Sequence, residues 1–301
     1  MLAVIPTIAA TVVARLAAFA HRRPYGLVFQ DLIGLAATQS GVVGGHRIAG
    51  VVARAEIALA RNAEGVGVIT NGFGTYLRAR GVAPSRITRL RNWSQDVTPT
   101  RSREEVRLAF GWGNDTFVCV HAGNIGHKQG LENVLAAAGL LRARPILFVL
   151  AGDGNERPRL ERLAAERQLT NVVFLPPSPP GEYEALLRAA DLLLVNQRAS
   201  VGEMSLASKL TSYFAAGRPV LAAVAPASET ARELTNANGG LLVAPDDPDA
   251  LADAVGRLAG NEQQAAAYQD NSLEYVRTRL APQVVLPEYE KFVAKLARRA
   301  P

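Results

Sequence analysis

The stretch Ser200-Val-Gly-Glu-Met-Ser-Leu-Ala-Ser-Lys-Leu-Thr-Ser-Tyr-Phe-Ala-Ala-Gly-Arg-Pro-Val-Leu-Ala-Ala-Val224 decides how the rest of the chain is read. Leu206, Leu210, Tyr213 and Phe214 fall at helical spacing, Ala216-Gly217 closes the helix, and Pro219-Val220-Leu221 opens an apolar run suited to a buried parallel strand. The order loop, helix, strand places Ser205, Ser208 and Lys209 in the first turns of the helix. Free backbone N–H groups and the positive end of the helix dipole favour an anion there. A capped surface helix with a solvated Lys209 accounts for this window equally well, so the flanking sequence has to choose between the two.

Working outward, the same alternation recurs on both sides. Strands are expected at 116–121, 146–151, 172–175, 192–195, 220–224 and 240–243, with helices between them near 129–142, 156–167, 181–190, 206–215, 229–235 and 248–259. Six alternations make a doubly wound parallel domain over residues 95–280. Residues 1–94 alternate as well, with helices at 7–20, 47–61 and 75–80 and strands at 25–30, 66–70 and 87–90. Three strands are fewer than a full domain of this class holds, so the first domain reads as incomplete. The polar, Pro-containing stretch around Arg91–Thr100 reads as the linker.

Composition fits an ordinary globular protein, 49% hydrophobic and 20% charged. Its net charge of +6 suits anionic ligands or a membrane surface. No concentrated basic run interleaved with aromatics is present, which argues against nucleic acid. Cys119, the single cysteine, excludes an internal disulfide and a cysteine metal site and suits a reducing cytoplasm. The four histidines lack metal-ligand spacing, so no metal is expected. Residues 1–20 imitate a signal peptide, but Pro6 and Arg15 interrupt the apolar run and no basic residue precedes it, which favours a buried or membrane-leaning helix.

In an open parallel sheet the ligand sits at the carboxyl ends of the strands. The loop His121-Ala-Gly-Asn-Ile-Gly-His-Lys-Gln-Gly130 leaves such an end. Gly123, Gly126 and Gly130 permit close backbone approach, and Lys128 brings a charge. Ala151-Gly-Asp-Gly-Asn-Glu156 follows the next strand, where Gly152 and Gly154 flank Asp153 in a sequence that also suits a plain turn. With Ser208-Lys209, these loops place two lysines where a diphosphate leaving group would need neutralising.

Taken in order, Gly-Asn-Ile-Gly-His-Lys-Gln-Gly, Ala-Gly-Asp-Gly-Asn, Ser-Lys-Leu-Thr-Ser-Tyr-Phe-Ala-Ala-Gly-Arg-Pro-Val and Gly-Gly-Leu-Leu-Val-Ala-Pro-Asp-Asp-Pro resemble the family 4 glycosyltransferases. The likeness is to the bacterial branch acting in capsule, O-antigen or colanic-acid type polysaccharide assembly. It implies an α/β GT-B-like fold, two doubly wound Rossmann-like domains facing a cleft, with residues 281–301 as a C-terminal helix returning to the first domain. It further implies a retaining transferase, without metal or cofactor, that moves a sugar from a UDP or GDP donor to a lipid-linked or polysaccharide acceptor. Its place would be the cytoplasm, with peripheral contact at the inner face of the membrane as an option.

Carried over by residue, the resemblance assigns Lys128, Lys209 and Glu203 to catalysis. Gly123, Asn124, Gly126, Gly152, Asp153, Gly154, Arg198, Ser208 and Ser212 fall on the donor side, and Gln30 and Asp31 on the acceptor side. Asn124 stands where many members have Arg, and Ser212 and Met204 stand at the positions of two Glu residues. Gln30-Asp31 replaces a His-containing pair. Relatives also carry about a hundred residues more before the point where this chain begins. That shortening implies an exposed edge and apolar face, with poor solubility or a covering partner. A donor-binding remnant or partner subunit without turnover is therefore the alternative to an active transferase. A GT-B epimerase would need an acidic and histidine cluster that the sequence does not place, and an NAD-dependent dehydrogenase a Gly-x-Gly-x-x-Gly that neither half has. For Arg198 a solvated loop position, and for Glu229 a dipole-complementing one, compete with donor contact. The basic residues Lys291, Lys295, Arg298 and Arg299 of the last helix suit either packing or anionic lipid.

Overall fold

The apolar runs separated by amphipathic segments become strands and helices of two parallel sheets. The structure is a computed structural model that describes residues 1–32, 45–95, 99–201 and 206–298. The chain divides into two units, one of Met1–Trp93 with Arg279–Pro301 and one of Ser94–Thr278.

In the first unit β1 (Leu2–Ile5), β2 (Gly26–Phe29), β3 (Gly65–Val68) and β4 (Ile87–Arg89) lie side by side in that order. Val4, Val28, Gly67 and Thr88 share one register line across the sheet. The intervening helices are α1 (Ile8–Ala20), α2 (Gly45–Asn62) and α3 (Asn71–Ala79). The expectation of three strands is corrected to four. Leu2–Ile5 merges with the apolar run of α1 when read as sequence, but Pro6 cannot donate to a ladder and ends the strand before the helix begins. β1 is an edge strand with Ala3 and Ile5 inward and Leu2 and Val4 exposed. Nor is α1 a buried helix, since Val13, Leu16 and Phe19 are exposed and only Thr11 and Ala18 are buried among its described side chains.

The last helix of the chain, α12 in the order used below (Pro282–Ala297), covers β2 and β3 of this same unit. It gets close because two strand positions lack a side chain. A Cβ on Gly26 would stand 2.5 Å from Leu296 Cδ1, and one on Gly65 would stand 2.9 Å from Leu296 Cδ2 and 3.0 Å from Phe292 Cε2. Phe292 and Leu296 thereby join Val28 and Leu90 in a core cluster. Lys295 Nζ donates to the Ser85 carbonyl at 3.0 Å, and Arg91 pairs with Glu288 at 3.2 Å. Arg299 lies outside the described residues.

The second unit holds β5 (Phe117–Ala122), β6 (Ile146–Ala151), β7 (Val172–Leu175), β8 (Leu192–Asn196), β9 (Val220–Ala223) and β10 (Gly240–Val243), in the order β10-β9-β8-β5-β6-β7. Its helices are α4 (Arg103–Ala109), α5 (Glu132–Leu140), α6 (Arg157–Glu166), α7 (Glu182–Ala189), α8 (Leu210–Ala215), α9 (Glu229–Ala237), α10 (Pro248–Ala259) and α11 (Glu262–Tyr275). The sheet runs outward from β5 in one direction, then returns to β8 and runs outward in the other. That reversal between β5 and β8 is the topological switch point, where the loops leaving adjacent strands turn to opposite faces.

Sequence periodicity does not reveal α4, although Ser102 and Glu105 carry its start signal as a reciprocal capping box. This helix anchors the amino end of β8. Arg103 donates to the Arg188, Ala189 and Ala190 carbonyls at the end of α7 and to Asp191 Oδ1 at 2.5 Å. Arg107 reaches Asp191 Oδ2 at 3.1 Å, and the Val118 N–H donates to the same oxygen at 2.8 Å.

Filling the gap under α12 tests this packing. Gly65→Val should lower the stability of the folded chain by about 1–3 kcal/mol in chemical denaturation, the range for overpacking a well-filled contact.

Candidate functional site

The site begins where two strands stop pairing. β5 pairs with β6 over six residues, from Phe117 to Ala122, but with β8 only at Cys119↔Leu192 and Val120↔Leu193. Beyond that point the carboxyl ends of β5 and β8 lack each other's backbone groups, which buried amides cannot tolerate unpaired. Tyr213 of α8, fully buried, supplies the partner. Its hydroxyl accepts from the Ala122 N–H at 2.9 Å and faces the Ala122 and Leu194 carbonyls at 3.3 and 3.5 Å.

On the other side of β5, the loops after β5 and β6 run backbone to backbone. Gly123 N–H donates to the Ala151 carbonyl and Ile125 N–H to the Asp153 carbonyl, each at 2.8 Å. A Cβ on Gly152 would stand 1.8 Å from the Gly123 carbonyl oxygen, and one on Gly154 would stand 2.3 Å from that of Ile125. Both positions also carry positive φ, +140° and +155°.

Two cavities of about 370 Å³ each open at this point and share Ala122, Gly123, Asn124 and Tyr183. One is lined further by Lys128, Gln129, Asn196, Gln197, Ser208, Lys209 and Ser212, and no Asp or Glu is among its described lining residues. The other is lined by Ala151, Gly152, Asp153, Pro177, Ser178 and Leu186. The first is therefore cationic and polar, the second mostly apolar.

Lys128 is held in place through its backbone. Asn196 Nδ2, at the end of β8, donates to the Gln129 and Gly130 carbonyls at 2.7 and 3.0 Å. Arg198 N–H donates to the Lys128 carbonyl at 3.0 Å, and Arg198 Nε to the His127 carbonyl at 2.8 Å. The Arg198 guanidinium then pairs with Glu132. Arg198, half-buried, is thus not among the residues lining either cavity; it clamps the loop that carries Lys128.

Lys209 reaches the cavity from the opposite wall. Its Nζ lies 3.2 Å from Nε2 and 3.4 Å from Nδ1 of His121, and 5.9 Å from the centre of the Tyr213 ring. Burial lowers the Lys209 pKa to about 7. Burial, and next the adjacent Lys209, hold His121 well below the usual histidine value despite the Asn124 and Leu194 carbonyls beside its ring. The Tyr183 hydroxyl, hydrogen-bonded to Ser212, is pushed up, chiefly by burial.

The helix carrying Lys209 starts later than the sequence suggests. Six-residue α8 begins at Leu210, and Lys209 is the residue before it. Two backbone donors beside Lys209 are taken by the protein itself. Ala207 N–H donates to Thr230 Oγ1 at 2.9 Å, and Leu210 N–H to the Ala207 carbonyl at 3.1 Å. Lys209 stands at the cap position of this short helix and sends its side chain into the cavity.

Of the other expected residues, Ser208, Ser212, Asn124 and Gly123 line the cationic cavity, and Gly152 and Asp153 line the apolar one. Gly126 and Gly154 line neither and serve the loop packing. Glu203, Met204 and Ser205 lie outside the described residues. Gln30 and Asp31 follow β2 in the first unit, where Asp31 Oδ1 accepts from the Leu32 N–H at 2.8 Å. Glu229 is buried and paired with Arg232 at the start of α9. Sequence reasoning did not single out Tyr183 or Tyr213, nor give His121 a role in the site. A Tyr in place of Phe at a buried helix position is the one available signal, because its hydroxyl needs a partner.

Among the described residues, no group of three or more His, Cys, Asp or Glu side chains is arranged to hold a metal ion, and no helix is long and apolar enough to cross a membrane.

Comparison with known proteins gives a family and a fold. The model of the family described as glycosyl transferases group 1 matches residues 102–274. The putative colanic acid biosynthesis glycosyl transferase WcaI of Escherichia coli (strain K12) is 28% identical over 256 residues, 81% of this chain and 60% of that protein. The D-inositol 3-phosphate glycosyltransferase of Nocardia farcinica is 33% identical over 230 residues, 71% of this chain and 47% of that protein. The chain thus spans roughly half of these relatives' length. The crystal structure of HepE of Anabaena in complex with UDP-glucose superimposes with a TM-score of 0.78 at 20% identity, covering 99% of this chain and 78% of that one. This likeness shows the fold, that of the GT-B glycosyltransferases.

Tyr213→Phe should cost about 1–3 kcal/mol in thermal or chemical denaturation, because it leaves the buried Ala122 N–H without an acceptor. The Lys209 shift has the opposite consequence. With its folded pKa near 7 and its unfolded value near 10.4, the unfolded chain binds more protons between these values, so stability rises with pH across that window. Below about pH 7 the full penalty is present. Lys209→Met should therefore raise the stability of the unliganded protein, by several kcal/mol at most and most strongly near pH 6, with the gain shrinking as pH rises toward 10.

Proposed function

The chain belongs to the glycosyl transferases group 1 family, and from that membership we propose that it moves a sugar from a UDP- or GDP-linked donor to a lipid-linked or polysaccharide acceptor with retention of configuration. The observation that carries the donor assignment is the pair of joined cavities at the β5/β8 switch point. Among the described residues, one has two lysines and no lining carboxylate, and the other is mostly apolar, which is the chemistry of a diphosphate joined to a nucleoside. The fold relative HepE, crystallised in complex with UDP-glucose, supports the same donor class. The likeness to WcaI, a putative colanic acid biosynthesis glycosyl transferase, supports a cell-surface glycan as the acceptor's destination.

In this reading the base and ribose occupy the cavity beside Gly152, Pro177 and Leu186, and the diphosphate lies between Lys128 and Lys209. The bond from the anomeric carbon to the diphosphate oxygen breaks, and a bond from that carbon to the acceptor oxygen forms on the same face. The acceptor's proton passes to the departing diphosphate. Lysine charge placed where negative charge develops then supplies the main rate effect. Glu203 near the donor sugar, and Gln30 and Asp31 on the acceptor side, complete the proposal, with no resident cofactor and with work at the cytoplasmic face of the membrane.

Isothermal calorimetry with UDP, GDP and UDP-glucose tests the donor site, and Lys128→Ala should weaken binding at least tenfold, or about 1.5–3 kcal/mol. Failure of every nucleotide to bind removes the reading. Nucleotide binding without sugar transfer to any lipid-linked or polysaccharide acceptor selects the donor-binding subunit instead.

A further inference from the structure

The cationic cavity contains a pairing that donor binding does not by itself explain. Lys209 Nζ stands almost equally far from the two ring nitrogens of His121, 3.2 and 3.4 Å. An approach in the ring plane at equal distances would collide with Cε1, so the amine lies over the imidazole face. It has no anionic partner among the described residues. Among the described residues, the titratable groups near it are His121 from β5 and Tyr213 from α8, with Tyr183 from α7 and Lys128 from the loop after β5 lining the same cavity. His121 is fully buried and its Nε2 lies 3.3 Å from the Asn124 carbonyl, so it is already engaged by the backbone.

A buried amine stacked on a neutral ring, with a lysine rather than a carboxylate across the cavity, is an unstable place for a fixed charge. Only an anion entering the cavity changes that balance. Resting on the donor reading above, we propose that nucleoside-diphosphate binding by this protein is a proton-uptake reaction. Lys209 takes one proton from solvent as the diphosphate enters, becomes the ammonium that holds it, and returns the proton when the nucleotide leaves. His121 is the positioning residue, keeping the amine over its ring and directed at the cavity. Burial, which lowers Lys209 to about 7, leaves it mostly neutral in the empty site at slightly alkaline pH. Uridine, which lacks the anion, recruits no proton.

The probe is UDP-glucose, or a GDP-sugar if the protein selects guanosine, because a diphosphate diester does not itself titrate near neutrality. Calorimetric titrations in buffers of low and high ionisation heat should differ at about pH 8 by the heat of close to one proton taken up, and should converge at about pH 6, where Lys209 is already charged. Affinity should fall roughly tenfold per pH unit above about 7. Lys209→Met should bind more weakly, with heats that no longer depend on the buffer. Lys209→Arg, which stays charged, should bind with pH-independent affinity. Buffer-independent heats with a flat pH profile in the wild-type protein overturn the proton linkage while leaving the donor site standing. Buffer dependence that survives Lys209→Met overturns the assignment to this residue. No binding in any buffer removes the donor reading, and this inference with it.

Discussion

The separation of β5 from β8 at their carboxyl ends is the constraint on which the site depends. A parallel sheet that closed all its ladders would leave no room at the switch point, whereas one that simply opened would bury unpaired amides. Tyr213 resolves the conflict by inserting a hydroxyl between Ala122 and Leu194 from the adjoining crossover. The same insertion sets the floor on which the His121 ring and the Lys209 amine rest. Local backbone hydrogen bonding thus places the chemistry-bearing side chains.

Charge is divided between the two ends of the strands. At the amino ends of β5 and β8, Arg103 and Arg107 are neutralised by Asp191 and by the carbonyls ending α7, so their positive charge is taken up by structure. Arg198 is likewise turned to Glu132. At the carboxyl ends, Lys128 and Lys209 line a cavity that has no carboxylate among its described lining residues. Basic residues are common throughout this chain, and what distinguishes the two lysines is that no anionic partner faces them among the described residues. Two lysine amines facing one cavity favour an anion there, and they are the physical basis of the donor site proposed for this group 1 family member.

The first unit is built around close approach. Gly26 and Gly65 give up side chains so that Leu296 and Phe292 can reach the sheet, which ties the end of the chain to its beginning. Its edge strand β1 and the outward face of α1 leave Leu2, Val4, Val13, Leu16 and Phe19 exposed.

Much was legible in the sequence. Alternating apolar runs and amphipathic helices gave six strands of the second sheet in their correct order along the chain, and the Gly-rich loops marked its carboxyl edge. Periodicity works there because buried parallel strands and the helices that cover them have distinct apolar repeats. It failed at Leu2–Ile5, where one apolar run holds a strand and a helix, and at α4, whose seven residues are held by two arginines more than by an apolar face.

The sequence by itself determined the parallel α/β class and put Lys128 and Lys209 at the carboxyl edge of the second sheet. The tertiary structure alone decided that Arg198 is a clamp, that Tyr213 closes a broken ladder, and that Lys209 lies against His121 from a strand 88 positions away. The reason is that spacing along a chain fixes only what local hydrogen bonds and apolar repeats require. Which partner a charge finds, and how much water it loses, is set by segments brought together through the sheet order.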